Sequence, residues 1–125
     1  MIYLSDSAIS YAVNLCNEFE GYKVAIASTD EEVRKYIIDK LILLALPDVE
    51  KLRNEFSKNT CLLRFPNDSD IYVISGSESA RMMRTHLVIV DINIDDEVVK
   101  RILRHIETLG SYRPLENSKK WYFVV

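Results

Sequence analysis

The chain has 125 residues, 48% hydrophobic and 28% charged, with three Gly and three Pro. That length and apolar content exclude a two-domain enzyme and a disordered chain, and predict one domain over residues 1–125 that buries about two-thirds of its unfolded surface. The net charge of −3 hides a split: residues 98–125 hold six Lys/Arg against two Asp/Glu, leaving ten against seventeen in residues 1–97. A polyanionic partner would prefer the C-terminal end.

The predicted elements follow in chain order. Ile2-Tyr3-Leu4 reads as a short strand, and Ser5-Asp6-Ser7 supplies N-cap chemistry for a helix with Ala8, Ile9, Ala12, Val13, Cys16 and Phe19 on its apolar face. Gly21 stops it. Lys23–Ser28 has the character of a buried parallel strand, and Thr29-Asp30-Glu31-Glu32 is a capping box for a second helix carrying Val33, Tyr36, Ile37, Lys40, Leu41 and Leu44 at helical spacing. Pro47 fits the first turn of a third helix with Val49, Leu52 and Phe56 inward and Arg53, Glu55 and Lys58 outside.

Cys61–Phe65 and Asp70–Ser75 flank the turn-rich Pro66-Asn67-Asp68-Ser69, predicting a β-hairpin over about residues 61–75. His86–Asp91 is the most apolar strand candidate. Asp95 or Asp96 then caps a helix with Val98, Val99, Ile102, Leu103, Ile106 and Leu109 inward, ended by Gly110. Residues 110–120 read as a long loop and Trp121–Val125 as a closing strand. Strands separated by helices imply a mostly parallel sheet, so the expected fold is a three-layer α/β/α sandwich with a helix on each face and the hairpin inserted.

Cys16 and Cys61 lie 45 positions apart with no metal-ligand spacing and read as small buried hydrophobes. The longest apolar run, Leu41–Leu46, is too short for a bilayer, and the N-terminus lacks a signal-peptide pattern. The expectation is a soluble cytoplasmic protein with no membrane association.

Ligands of such sheets sit at the carboxyl ends of strands, here Ser5-Asp6-Ser7, Ser28-Thr29-Asp30, Ser75-Gly76-Ser77 and Asp91-Ile92-Asn93. The succession KVAIAST, helix, RFPNDSDIYVISGSESARMMRTHLVIVDI, helix resembles the ATPase core of viral large terminases and related RecA-like, helicase-type motors. In that family a hairpin of the form F-x-N-G-S-x-I precedes a Ser/Arg-Gly element and a Walker B strand ending in Asp-Glu. Phe65, Asn67, Ser69 and Ile71 match the hairpin, Ser79-Ala80-Arg81 the Arg element, and Leu87–Asp91 the Walker B strand. The resemblance spans residues 1–125, with 61–98 carrying most of it.

The departures fall on the chemistry. Where the family has its P-loop, Leu4-Ser5-Asp6-Ser7-Ala8 offers neither Gly nor Lys, and Asp6 would repel phosphate. Ile92 stands where the catalytic Glu is expected, Asp68 where the hairpin has Gly, and Met82 where the Arg element has Gly. The match is to a scaffold with its chemistry removed, and no enzyme activity is expected from it.

Each candidate site has two readings. Asp91 either holds Mg²⁺, with Asp95, Asp96 or Glu97 nearby, or solvates a strand end while Asp95 and Asp96 cap the next helix. The resemblance implies that Arg81 senses nucleotide, with Arg84 close by and Ser75 and Ser7 at strand ends; the alternative is a polar surface loop with Met82 and Met83 tucked inward. Lys100, Arg101, Arg104, His105, Arg113, Lys119 and Lys120 either contact a nucleic-acid backbone or complement a helix macrodipole. His86 and His105 stand apart from both cysteines in sequence, and no nucleophile pair stands out.

The expected role is a non-catalytic, macromolecule-binding protein of viral origin, without cofactor, that docks on a nucleic-acid-handling machine in the host cytoplasm. A protein partner, or a homodimer through a strand edge, fits that role. The alternatives are a Mg²⁺-dependent nucleotide-binding or phosphoryl-transfer domain using Asp91 with ATP, and direct nucleic-acid binding through the basic C-terminal region.

Overall fold

A computed structural model describes residues 2–45, 50–53, 60–75, 84–91, 95, 97, 98, 100, 101, 107, 108 and 120–124. The elements are β1 (Ile2–Leu4), α1 (Ser5–Glu18), β2 (Lys23–Ala27), α2 (Glu31–Ala45), β3 (Glu50–Arg53), β4 (Cys61–Arg64), β5 (Asp70–Ile74), β6 (Arg84–Thr85), β7 (Leu87–Asp91), β8 (Glu107–Thr108) and β9 (Lys120–Val124). Seven strands form one sheet in the order β1-β9-β7-β2-β5-β4-β3, and β6 and β8 form a two-stranded ribbon. From β1 to β5 every neighbouring pair is parallel, while β4 and β3 add antiparallel.

Strand alternation builds the layers, because successive side chains point to opposite faces. Val24 and Ile26 of β2, Ile71 and Val73 of β5, and Leu87 and Ile89 of β7 join Ile9, Ala12, Cys16, Ile37 and Leu41 of the helices in the larger core. Ala25, Ala27, Ile74, Val88 and Val90 face the other way and meet Tyr72 and Val98. Both faces are therefore covered, as a parallel sheet requires. Residues 97, 98, 100 and 101 are helical, so the fold is the expected α/β class with helices flanking the sheet on both sides. Both α1 and α2 lie on the same face and pack on each other. No helix among the described residues is long and apolar enough to cross a membrane.

Several expectations need correction. Glu50–Arg53 is a strand, not the middle of a helix, and pairs Leu52 with Leu62. Apolar residues three and four apart suggested a helix there, but the open edge of β4 offers a ladder that outweighs local spacing. The helix predicted to run to Gly110 does not include residues 107 and 108, which pair with β6 as β8. Lys120, placed at the end of a loop, already belongs to β9. The N-cap of α2 is Asp30 and not Thr29: its Oδ1 accepts the Glu32 N–H at 2.9 Å and the Val33 N–H at 3.4 Å.

The predicted hairpin is present as β4 and β5, with β5 an integral strand paired along its length with β2. Its turn closes the amino-terminal edge of the sheet. The last carbonyls of α1 have no partner within the helix, and the Asn67 side chain donates to Cys16 O at 2.7 Å and Phe19 O at 3.4 Å. Ser69 Oγ donates to Phe19 O at 2.7 Å and accepts the Tyr22 N–H at 3.0 Å. Gly21, at φ +67° where a Cβ is disfavoured, turns the chain out of the helix and donates its N–H to Asn67 O at 3.0 Å.

Beside this turn, Asp70 receives both Lys23 Nζ at 2.7 Å and Arg64 Nε at 3.1 Å. His86 lies between β6 and β7. Its Nδ1 accepts the Lys23 N–H at 3.0 Å, its own N–H reaches Lys23 O at 2.8 Å, and its ring stacks on Tyr22 at 4.8 Å. An acceptor Nδ1 requires the neutral ring. Burial, assisted by the Lys23 charge, holds the imidazole below its ordinary value of 6.5.

Two outcomes follow from the backbone and this histidine. Asp68 has φ +66°, a region in which a Cβ costs about 1–2 kcal/mol. Asp68→Gly should therefore be more stable than Asp68→Ala by about 1 kcal/mol in urea unfolding. For His86, folded and unfolded chains are both neutral above 6.5. As pH falls through that value the unfolded chain binds a proton that the folded chain resists, so stability drops. Between about pH 7.5 and about pH 5.5 the wild type should lose more stability than His86→Asn, which does not titrate there.

Candidate functional site at the carboxyl edge of the sheet

Parallel order brings the residues that follow β1, β2, β5 and β7 to one edge. Neighbouring strands lie about 4.8 Å apart, so Ser7 beyond β1 and Ser75 beyond β5 each stand two strands from Asp91, on opposite sides of it. Ser7 is exposed in the first turn of α1, and Ser75 is half-buried just past Ile74. Three of the four candidate nucleotide-site residues thus share an edge without converging on a point; the fourth, Arg81, lies outside the described residues.

Asp91 converges instead with Ser28. The register Ala27↔Val90 sets Ser28 beside Asp91. Alternation turns both toward the α1/α2 layer, since Ser28 follows Val24 and Ile26, and Asp91 follows Leu87 and Ile89. Ser28 Oγ donates to Asp91 Oδ2 at 2.8 Å and accepts the Asp30 N–H at 3.1 Å. Ser28 O receives Arg34 Nη1 at 2.9 Å, and Ser28 N–H donates to Ile74 O at 3.1 Å. Ser28 is fully buried, Asp91 is 3% exposed and Arg34 4%.

Arg34 is the member that sequence reasoning missed. It lies on the buried stripe of α2 with Ile37, Ile38 and Leu41, and a cation at i, with apolar residues at i+3, i+4 and i+7, was the available signal. Burial pulls its guanidinium below the ordinary value, with Glu31 and Asp30 acting in the opposite sense.

Among the described residues, Ser28 Oγ meets the Asp91 carboxylate and no imidazole. His86 precedes β7 and stands at the opposite edge of the sheet, about 16 Å from Asp91 at about 3.3 Å per residue. Cys16 and Cys61 are buried thiols outside any disulfide, as expected, and burial pushes the Cys16 thiol up, with Asp70 adding to the shift and Lys23 opposing it. A thiolate nucleophile is thereby disfavoured. Among the described residues, no three His, Cys, Asp or Glu side chains group to hold a metal ion. Asp95 accepts the Glu97 N–H at 2.9 Å, which is the capping role.

The basic residues are dispersed where they are described. Lys100 and Arg101 are exposed in the helical segment after β7. Lys100 Nζ lies 3.5 Å from Glu97 Oε1, and Arg101 Nε donates to Glu97 O at 3.4 Å. Lys120 opens β9 at the amino edge, opposite Val88. Arg104, His105, Arg113 and Lys119 lie outside the described residues.

No protein-family model matches the chain, and no curated protein matches its sequence. Solved structures do. A point mutant of the large terminase ATPase domain of Thermus phage P74-26 superposes with a TM-score of 0.54 at 15% identity, covering 99% of this chain and 58% of that one. The fold is terminase-like. A second structure of that phage domain gives a TM-score of 0.51 at 15% identity, over 99% of this chain and 74% of the other. The chain spans 58% of the first terminase chain it matches. Within this terminase-like fold the hairpin residues Phe65 and Ile71 are buried core, and Asn67 and Ser69 cap α1.

The Ser28–Asp91 pair should matter to stability. Ser28→Ala removes a donor from a buried carboxylate, which costs about 1–3 kcal/mol. Urea unfolding should show a loss of that size for Ser28→Ala, and a smaller one for the exposed control Ser7→Ala.

Proposed function

We propose that the chain is a non-catalytic, macromolecule-binding protein of viral origin, whose terminase-like core docks on a nucleic-acid-handling machine in the host cytoplasm and modulates it. The observation that carries the reading is the junction of β1 and α1: Leu4 ends the strand and Ser5 opens the helix. A phosphate-binding loop needs several glycine-rich residues between strand and helix, so that backbone N–H groups can close around the anion, and a Lys for its charge. No residue separates β1 from α1 here, and the first turn of the helix carries Asp6.

The second support is Asp91. Its carboxylate is 3% exposed, and its Oδ2 already accepts a hydrogen bond from Ser28 at 2.8 Å, so little of it faces solvent where an ion would enter. Ile92 beyond it cannot orient a water. Among the described residues of this edge, none supplies the phosphate cradle or the open carboxylate that Mg²⁺-ATP needs. Docking is the use of the scaffold that remains, because it needs a rigid surface and not a reactive centre.

Titration of a fluorescent ATP analogue with Mg²⁺ should give no saturable binding. Saturable binding lost in Asp91→Ala would overturn the proposal in favour of a Mg²⁺-dependent nucleotide-binding domain. DNA binding that falls steeply with salt and disappears in a Lys100→Glu/Arg101→Glu variant would replace docking by direct nucleic-acid contact. With neither seen, tagged protein should recover a component of a nucleic-acid-handling complex from host lysate and co-elute with it on size exclusion.

A further inference from the structure

The outer surface of the α1/α2 layer has an apolar feature that the fold does not use. Among the described residues, the large hydrophobic side chains left exposed are Leu43 at 71% and Leu44 at 48%. They are adjacent, in the last turns of α2, and with Ile9 they border a groove of about 360 Å³ between α2 and the start of α1. A protruding leucine and a recess therefore lie side by side on one face.

Charge brackets the groove. Asp6 and Ser10 line it from α1 and Lys40 from α2. The Tyr36 hydroxyl donates to Asp6 Oδ1, and Lys40 Nζ lies 5.7 Å from the centroid of the same Tyr36 ring. One ring thus meets both an acid and a base that line the groove. A groove with one charge of each sign does not select a strongly acidic or strongly basic ligand. It is complementary to itself: a two-fold axis brings Lys40 of each copy to Asp6 of the other while Leu43 of each enters the opposite recess.

We propose that this face binds a second copy of the chain in an isologous dimer, with Leu43 as the anchor and the reciprocal Lys40–Asp6 pairs fixing its register. This contact lies on the helical face of the sandwich and not on a strand edge, and it does not depend on the docking role proposed above.

The test is sedimentation equilibrium over a range of protein concentration at low salt, with circular dichroism to confirm that each variant is folded. The wild type should dimerise reversibly. Leu43→Glu and the milder Leu43→Ser should each weaken the dimer by at least about tenfold, since each removes an anchor at the centre of the contact. Lys40→Glu and Asp6→Lys should each weaken self-association, because each sets like charges opposite one another at both pairs. Mixed together, these two single variants should form a heterodimer, since both reciprocal pairs are then again of opposite sign. A wild type that stays monomeric, a dimer indifferent to Leu43→Glu and Leu43→Ser, or single charge variants that fail to rescue one another would overturn the proposal.

Discussion

The last carbonyls of a helix must find donors outside it, and in this chain α1 finds them in a turn about fifty residues away. Asn67 and Ser69 reach Cys16 O and Phe19 O, and the return bond from Gly21 N–H to Asn67 O closes the loop. Those contacts fix where the hairpin sits, and hence where β5 begins relative to β2: Lys23 pairs with Asp70, and the salt bridge between their side chains holds that register. The other edge of β2 is pinned at the same level by His86, whose ring and backbone both bond to Lys23. From there the parallel ladders run to the far edge without freedom to slip. A slip of one residue would exchange the faces of every side chain on a strand and send Ser28 and Asp91 into different layers. The polar cluster at the carboxyl edge is in this sense set at the amino edge.

Much of this was readable from residue order. The buried strands β2 and β7, the two long helices and the β4–β5 hairpin follow from period and turn chemistry, because in each the local preference and the tertiary environment agree. Glu50–Arg53 and Glu107–Thr108 were not legible as strands. Both are short, both lie where helical spacing was available, and both owe their conformation to a ladder offered by another strand. The cap of α2 was misplaced by one residue, from Thr29 to Asp30, since both are good N-caps and the choice rests on Ser28, whose Oγ holds the Asp30 N–H.

At the carboxyl edge the sequence identified Asp91 by its place after an apolar strand, and nothing more local could have said what it touches. Its partner is 63 residues away and meets it only because β2 and β7 are neighbours in a given register. Arg34 was hidden for the converse reason. Cations are seldom buried unless paired, so an Arg in an apolar stripe is read first as solvent-facing, whereas here it satisfies the carbonyl of Ser28, just past β2. Asp68 stands where the resembled motif holds Gly, and its φ is positive, a conformation that Asp is among the few non-glycine residues to accept.

Identity of 15% alongside a shared fold is what packing physics allows. A core needs volume, apolarity and the right alternation, and it tolerates broad substitution within those limits; a phosphate site needs particular atoms at particular places and tolerates almost none. The two requirements separate at the strand ends. Inside the sheet, β2 and β7 keep the buried pattern of a parallel core, while one residue further on Ser28 and Asp91 bond to each other. A strand-end carboxylate that is withdrawn from water needs a hydrogen-bond donor, from a ligand or from the protein itself. Here the Ser28 hydroxyl supplies that donor to Asp91, and the Ser28 carbonyl is in turn satisfied by Arg34. On the docking role proposed for this chain, the carboxyl edge is then free to act as a structural seam.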